Sequence, residues 1–157
     1  MPDARRYSFQ VTARSSADAA SLFALEADGS RWSEWARPLV PTSKWERQGD
    51  PAPGGVGAIR RLGLHPVVVR EETVAYEQDR LHAYVLRTPM PIKDYRAELL
   101  LTPRPDGGTD LVWRATFAER VRGSGPVFRL LMRGLITVLT RRLVRAAEGD
   151  RPGRVGA

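Results

Sequence analysis

Hydrophobic positions along this chain change period three times. Tyr7, Phe9 and Val11 alternate with polar residues, the mark of a half-buried strand. Ser15-Ser16-Ala17-Asp18 then offers capping residues ahead of a helix carrying Ala20, Leu22, Phe23 and Leu25, which ends near Asp28-Gly29. A short helical segment, RWSEWA, follows, and Pro38 stops it by steering the preceding residue out of the helical region. From Val40 the rhythm is strand and turn. Strands are predicted near 40–48, 56–64, 67–77, 80–88, 94–103 and 109–120, separated by QGDPAPGG, LHP, EQD, TPMP and PRPDGG. Short connections make consecutive strands antiparallel neighbours. With the first strand they form a sheet of about seven strands, twisted enough to curve.

After Gly123-Ser124-Gly125-Pro126 the period becomes 3.6 and stays so to about Ala147. Val127, Phe128, Leu131, Met132, Leu135, Val138, Leu139 and Leu143 are predicted to share one side, with Arg129, Arg133, Thr137, Thr140 and Arg141 opposite. This helix is the one large apolar surface available to cover the sheet. A curved sheet closed by one helix is a container, so the expected partner is a hydrophobic small molecule. Leu130 and Val144 fall on the polar side and are candidates for a homodimer surface. Arg142 and Arg145 fall on the apolar side, where they either snorkel past the sheet rim or reach an anionic ligand group at a pocket mouth.

Composition narrows the classes. The 157 residues suit one domain, expected over 1–148, with GDRPGRVGA, 149–157, as a disordered tail. There are no cysteines, which excludes disulfides and thiolate chemistry and fits a reducing cytoplasm. MPDARRYSFQ lacks the apolar core of a signal peptide, and no run approaches the ~20 apolar residues of a membrane span. A cytoplasmic protein without integral membrane association is expected. The net charge is +7, and 23 of 25 basic residues are arginine, a bias that a GC-rich genome produces. The arginines are scattered, with neither a stacking platform nor a helix-turn-helix pattern, so no nucleic-acid partner is expected. A basic interaction domain stays as a third class. His65 and His82 read as surface or rim residues and make no metal set. Gly54-Gly55-Val56-Gly57 lacks the ending of a phosphate loop and reads as a hairpin turn, so no cofactor is expected.

The order strand, two short helices, six-stranded meander and long C-terminal helix resembles the helix-grip fold of the START-like, polyketide cyclase/dehydrase superfamily (SRPBCC). The resemblance covers roughly residues 5–147 and rests on that layout and three signatures. These are Trp32 and Trp35 before Pro38, the run Gly54-Gly55-Val56-Gly57-Ala58, and YRAELLLTPRPDGGTDLVWRATF from Tyr95 to Phe117. It implies an α+β fold in which a seven-stranded antiparallel curved sheet wraps the C-terminal helix around a cavity. The superfamily includes lipid carriers, hormone binders and aromatic cyclases.

Within that frame the candidate residues fall into two groups. Tyr95, Ala97 and Leu99 on one strand and Trp113, Ala115 and Phe117 on the last strand should face the helix, where Leu131, Leu135, Leu139 and Arg142 form the opposite wall of a pocket. Trp32 and Trp35, three apart, either roof that pocket, as the resemblance implies, or staple the short helices to the sheet. The second group is polar. By the phase of Val68, Val74 and Tyr76, Glu72 shares a face with Arg70, and Arg60 lies in the matching set of the neighbouring strand with Ala58 and Leu62. Arg60 with Glu72, joined by Tyr84 or Tyr95, then forms either a polar anchor inside the pocket or a cross-strand ion pair on the solvated convex face. Glu72, Arg60 and Tyr84 are the candidate catalytic residues of an alternative function, a cyclase or dehydratase acting on a polyketide-like substrate.

Overall fold

The structure, a computed structural model, describes residues 3–149. β1 (Arg6–Ser15) leads into α1 (Ala19–Ala27) and α2 (Trp32–Trp35). The meander follows as β2 (Ser43–Arg47), β3 (Ile59–Leu62), β4 (Val69–Glu77), β5 (Leu81–Leu86), β6 (Ile92–Pro103) and β7 (Thr109–Glu119), and α3 (Gly125–Gly149) ends the described chain. All strands form one antiparallel sheet in the order β1-β7-β6-β5-β4-β3-β2. This is the α+β helix-grip architecture expected of the alternating pattern. The expected tail begins at Gly149, which is the last residue of α3, and positions 150–157 lie outside the described residues. Among the described residues no helix is long and apolar enough to cross a membrane.

Local chemistry sets where the helices lie. Asp18 caps α1 by accepting the Ser21 amide at 2.7 Å. Before α3, Glu119 Oε2 accepts the amides of Gly123 and Gly125 at 3.1 and 3.2 Å. Gly125 must be glycine there, since a Cβ would stand 1.9 Å from the Tyr7 ring. At the far end Glu148 Oε1 accepts Ser15 Oγ and the Ser16 amide at 3.1 and 3.0 Å. α3 is thereby pinned beside both ends of β1, on one side of the sheet.

That placement corrects the face expected of α3. The side chains it buries are Ile136, Leu139, Thr140, Leu143 and Ala147, while Val127, Leu130 and Leu131 are well over half exposed. The apolar arc is wider than the contact it makes, and the helix is rolled so that Ile136 and Leu143 point at the core. Thr140, expected outside, is buried with its hydroxyl donating to the Ile136 carbonyl at 2.7 Å. Val144 packs against the core and leaves Leu130 alone as the exposed member of that pair.

Candidate functional site

The concave face of the sheet is filled unevenly. Opposite β6 and β7 it is solid. Ala97, Leu99, Trp113, Ala115 and Phe117 point inward as the alternation requires and are fully packed, with α1 lying over β6. Phe117 stacks on Tyr7 and Trp113 meets Trp32 edge-on, so these five residues are core and do not line the cavity that lies beside them. Across β3, β4 and β5, which α3 does not reach, a cavity of about 230 Å³ remains. Its helix wall is Met132, Leu135, Ile136 and Leu139, and its sheet wall is Leu62, Val69, Tyr84, Leu86 and Tyr95. Trp32 and Val40 close one end, and Leu39, Val67 and Met90 stand at the rim. Leu39 and Val67 are 47 and 74 % exposed, which marks that rim as the mouth.

Of the residues expected to bind a ligand, Trp32, Tyr95, Leu135 and Leu139 line the cavity. Trp35 packs against Trp32 with the rings tilted by 50° and donates its Nε1 hydrogen to the Leu25 carbonyl at 3.1 Å, so it is a staple. Trp32 does both jobs: it faces the cavity and donates to the Glu26 carbonyl at 2.7 Å. Leu131 is on the solvent side of α3, and Arg142 turns away to donate to the Arg37 carbonyl.

One charged side chain lines the cavity, and it is Glu71. Of the two positions left open for Arg60 the structure has the inner one, and its partner there is Glu71 in place of Glu72. The β3–β4 register sets Arg60 opposite Glu71, and Arg60 Nε and Nη2 donate to Glu71 Oε2 at 3.1 and 2.8 Å. Glu72 points to the convex face, where Arg47 donates to it at 3.1 Å and Arg87 also pairs with it. The cause is a bulge: the β4–β5 register shifts between Thr73 and Ala75, leaving Val74 unpaired. A phase counted back through Val74 and Tyr76 therefore arrives on the wrong face.

Behind Glu71 lies a network that the sequence reading missed. Arg60 Nη1 donates to the Glu26 carbonyl at 2.6 Å and Nη2 to Glu26 Oε1 at 3.1 Å. The other Glu26 oxygen is 2.8 Å from His82 Nδ1, and His82 Nε2 is 3.0 Å from Thr73 Oγ1. The guanidinium is also held between two rings, 4.4 Å from the Trp32 centroid and 4.7 Å from that of Tyr84. Glu26, Arg60 and His82 are each at most 2 % exposed. His82, expected at the surface, is thus a buried link between α1 and β4. The signals were present: Glu26 follows Leu22 and Phe23 at helical spacing, and His82 is two residues before Tyr84 on a strand.

The two carboxylates are held differently. Burial alone would raise Glu26, but His82 and Arg60 outweigh it and hold the carboxyl below its ordinary range. Glu71 has only a share of Arg60 and feels the Glu26 charge, so burial prevails and its carboxyl is raised. Burial lowers and the two glutamates raise the Arg60 guanidinium, with a net rise that keeps it charged. Both cavity phenols are pushed up, first by burial and then by the Glu71 charge. Tyr84 accepts the Trp113 indole N–H at 3.3 Å, which leaves its own proton free to donate. Among the described residues no group of three or more His, Cys, Asp or Glu side chains is arranged to hold a metal ion.

The family model described as "Polyketide cyclase / dehydrase and lipid transport" matches residues 6–148. No curated protein matches the sequence. Among solved structures, a norcoclaurine synthase point mutant from Thalictrum flavum, in complex with a transition-state analogue, is similar with a TM-score of 0.75 at 11% identity, over 97% of this chain and 100% of that one. A Thermobifida fusca protein solved by solution NMR gives 0.72 at 24% identity, over 92% and 95%. The protein XoxI of Bacillus cereus gives 0.71 at 17%, over 88% and 94%. At these identities the likeness is one of fold.

Proposed function

The chain belongs to the polyketide cyclase/dehydrase and lipid-transport family, and from that premise we propose that it binds a small hydrophobic molecule in the cavity between α3 and strands β3–β5. One observation carries this reading: on the concave side of the sheet about 230 Å³ is left open behind a mouth of exposed apolar side chains. The volume is slightly below the ~300 Å³ of common ligand sites, which favours a ring or short chain over a long lipid. Burying ~200 Å² of such a molecule contributes about 5 kcal/mol, and the polar atoms of Glu71, Tyr84 and Tyr95 orient it. Native mass spectrometry of the protein purified without denaturation tests this. An adduct of small mass is expected, and it should vanish in a variant whose cavity is filled, Leu135→Trp. Retention of the adduct by that variant would place the ligand elsewhere.

A second reading, a cyclase or dehydratase-type enzyme, is supported by Glu71, a carboxyl raised by burial beside two phenols on the cavity wall. In this role Glu71 replaces Glu72 as the acid–base group. Turnover of a polyketide-like substrate that survives Glu71→Gln unchanged would exclude it.

A further inference from the structure

We infer that the cavity selects ligands with a cationic, hydrogen-bond-donating head, an apolar amine, and disfavours carboxylic acids. The inference rests on the cavity being the ligand site and goes on to name the chemistry it takes. It follows from which charged group faces the cavity. Arg60 is one cation shared by two carboxylates, Glu26 and Glu71, and of these three groups Glu71 alone lines the cavity. Its unpartnered oxygen is on the cavity side. Both Arg60 bonds fall on Glu71 Oε2, while Oε1 has no partner among the described residues, and the 8 % of the Glu71 side chain left exposed opens onto the cavity it lines.

No cationic side chain lines the cavity. Arg60 is held between the Trp32 and Tyr84 rings and is bonded to the other Glu71 oxygen, Oε2. The groups facing Glu71 are Arg60 from β3, Glu26 from α1, His82 and Tyr84 from β5, and Tyr95 from β6. The cavity wall given by α3 is Met132, Leu135, Ile136 and Leu139, all apolar. An ammonium placed at Oε1 would pair with the carboxylate and find the phenol oxygens of Tyr84 and Tyr95 on the same cavity wall. A carboxylate would bring a third anion to a site where two already share one cation.

Three matched probes test this by calorimetry: 4-phenylbutylamine, 4-phenylbutanol and 4-phenylbutyrate. The amine is expected to bind at least tenfold more tightly than the acid at pH 7.5, with the alcohol between them. Its affinity should rise from pH 5 to pH 8, because the ammonium stays charged throughout while Glu71, raised by burial, loses its proton. Glu71→Gln should bring the three affinities within about threefold, and the pH series on the unsubstituted protein carries the same test should that variant not fold. Equal affinities, a preference for the acid or an amine affinity flat in pH would overturn the inference while leaving the cavity as the ligand site. Failure of all three to bind at millimolar concentration would overturn the binding function itself and the inference with it.

Discussion

Arg60→Met removes the cation between Glu26 and Glu71 and keeps much of the side-chain volume. The guanidinium makes two bonds to Glu71, one to the Glu26 carboxylate and one to the Glu26 carbonyl, and α1 is tied to the sheet through them. Removing one partner of a buried ion pair costs about 3–5 kcal/mol, because the remaining charge stays desolvated. Against a typical domain stability of about 5–15 kcal/mol the variant should remain folded but lose a large share of its margin. At roughly 2–4 °C per kcal/mol, the melting temperature should fall by about 6–20 °C. Urea unfolding followed by tryptophan fluorescence reads the loss directly, since Trp32 and Trp113 are both buried next to the network. The deficit should also depend on pH. Without Arg60 the Glu71 carboxyl, already raised by burial, is raised further in the folded state, so stability is lost as pH rises above the unfolded value and regained towards pH ~4.5. The double variant Arg60→Met/Glu71→Gln should recover part of the loss at pH 7, a non-additivity that identifies the pair. A loss below about 1 kcal/mol, or one constant between pH 7 and pH 5, would refute the claim that Arg60 neutralises a buried cluster.

Glu71→Gln isolates the raised carboxyl. Since Glu71 is raised in the folded state, its contribution to stability is fullest below the unfolded value and declines as pH rises. The wild type should therefore gain on the variant as pH falls from 7 towards 4.5, and parallel stability curves would contradict the assignment. Glu72→Gln, by contrast, should cost less than about 1 kcal/mol in urea unfolding, because its arginine partners Arg47 and Arg87 are about half exposed. Leu135→Trp should abolish probe binding measured by calorimetry and change stability by no more than about 1 kcal/mol, because Leu135 is 39 % exposed at the cavity edge. A larger loss would mean that the cavity is too rigid to take the ring.

Period-two alternation was enough to place Tyr95, Ala97, Leu99, Trp113, Ala115 and Phe117 on the inner face, because β6 pairs with β7 without a register shift from Arg96 onward and the shift between Lys93 and Arg96 leaves Tyr95 in phase with Ala97. It failed in β4, where one unpaired residue, Val74, inverts the phase and exchanges Glu71 for Glu72. No composition signal marks that bulge, as valine is an ordinary strand residue. The wall of the cavity was half legible for a different reason. Trp32, Tyr84, Tyr95, Leu135 and Leu139 follow from pattern, whereas Leu39, Val40, Val67 and Met90 come from connections whose course is set by tertiary packing. The expected use of Arg142 failed because a helix projection gives an angle and not a neighbour: the Arg37 carbonyl lies within reach and takes it.

The position of the cavity follows from how α3 is anchored. Its first turn is fixed at Tyr7 and Glu119 and its last at Ser15, so the helix axis follows β1, one edge of the sheet. A helix of about 10 Å diameter held there cannot also cover β3, β4 and β5 on the other side of a seven-stranded sheet. α1 covers the ground opposite β6, and Val69, Tyr84 and Leu86 are left facing open space. Those same strands carry Arg60, Glu71 and His82 on their inner faces, so this buried charge network of the concave side stands where the helix leaves the sheet uncovered. Its innermost members are satisfied by α1 through Glu26, and its outermost, Glu71, is presented to whatever fills the space. Cavity and network thus have a common origin in the two ends of α3, and loosening either end should be felt at Glu71. Gly125→Ala, which drives a Cβ into the Tyr7 ring, should shift the helix and weaken probe binding more than tenfold although it lies outside the cavity.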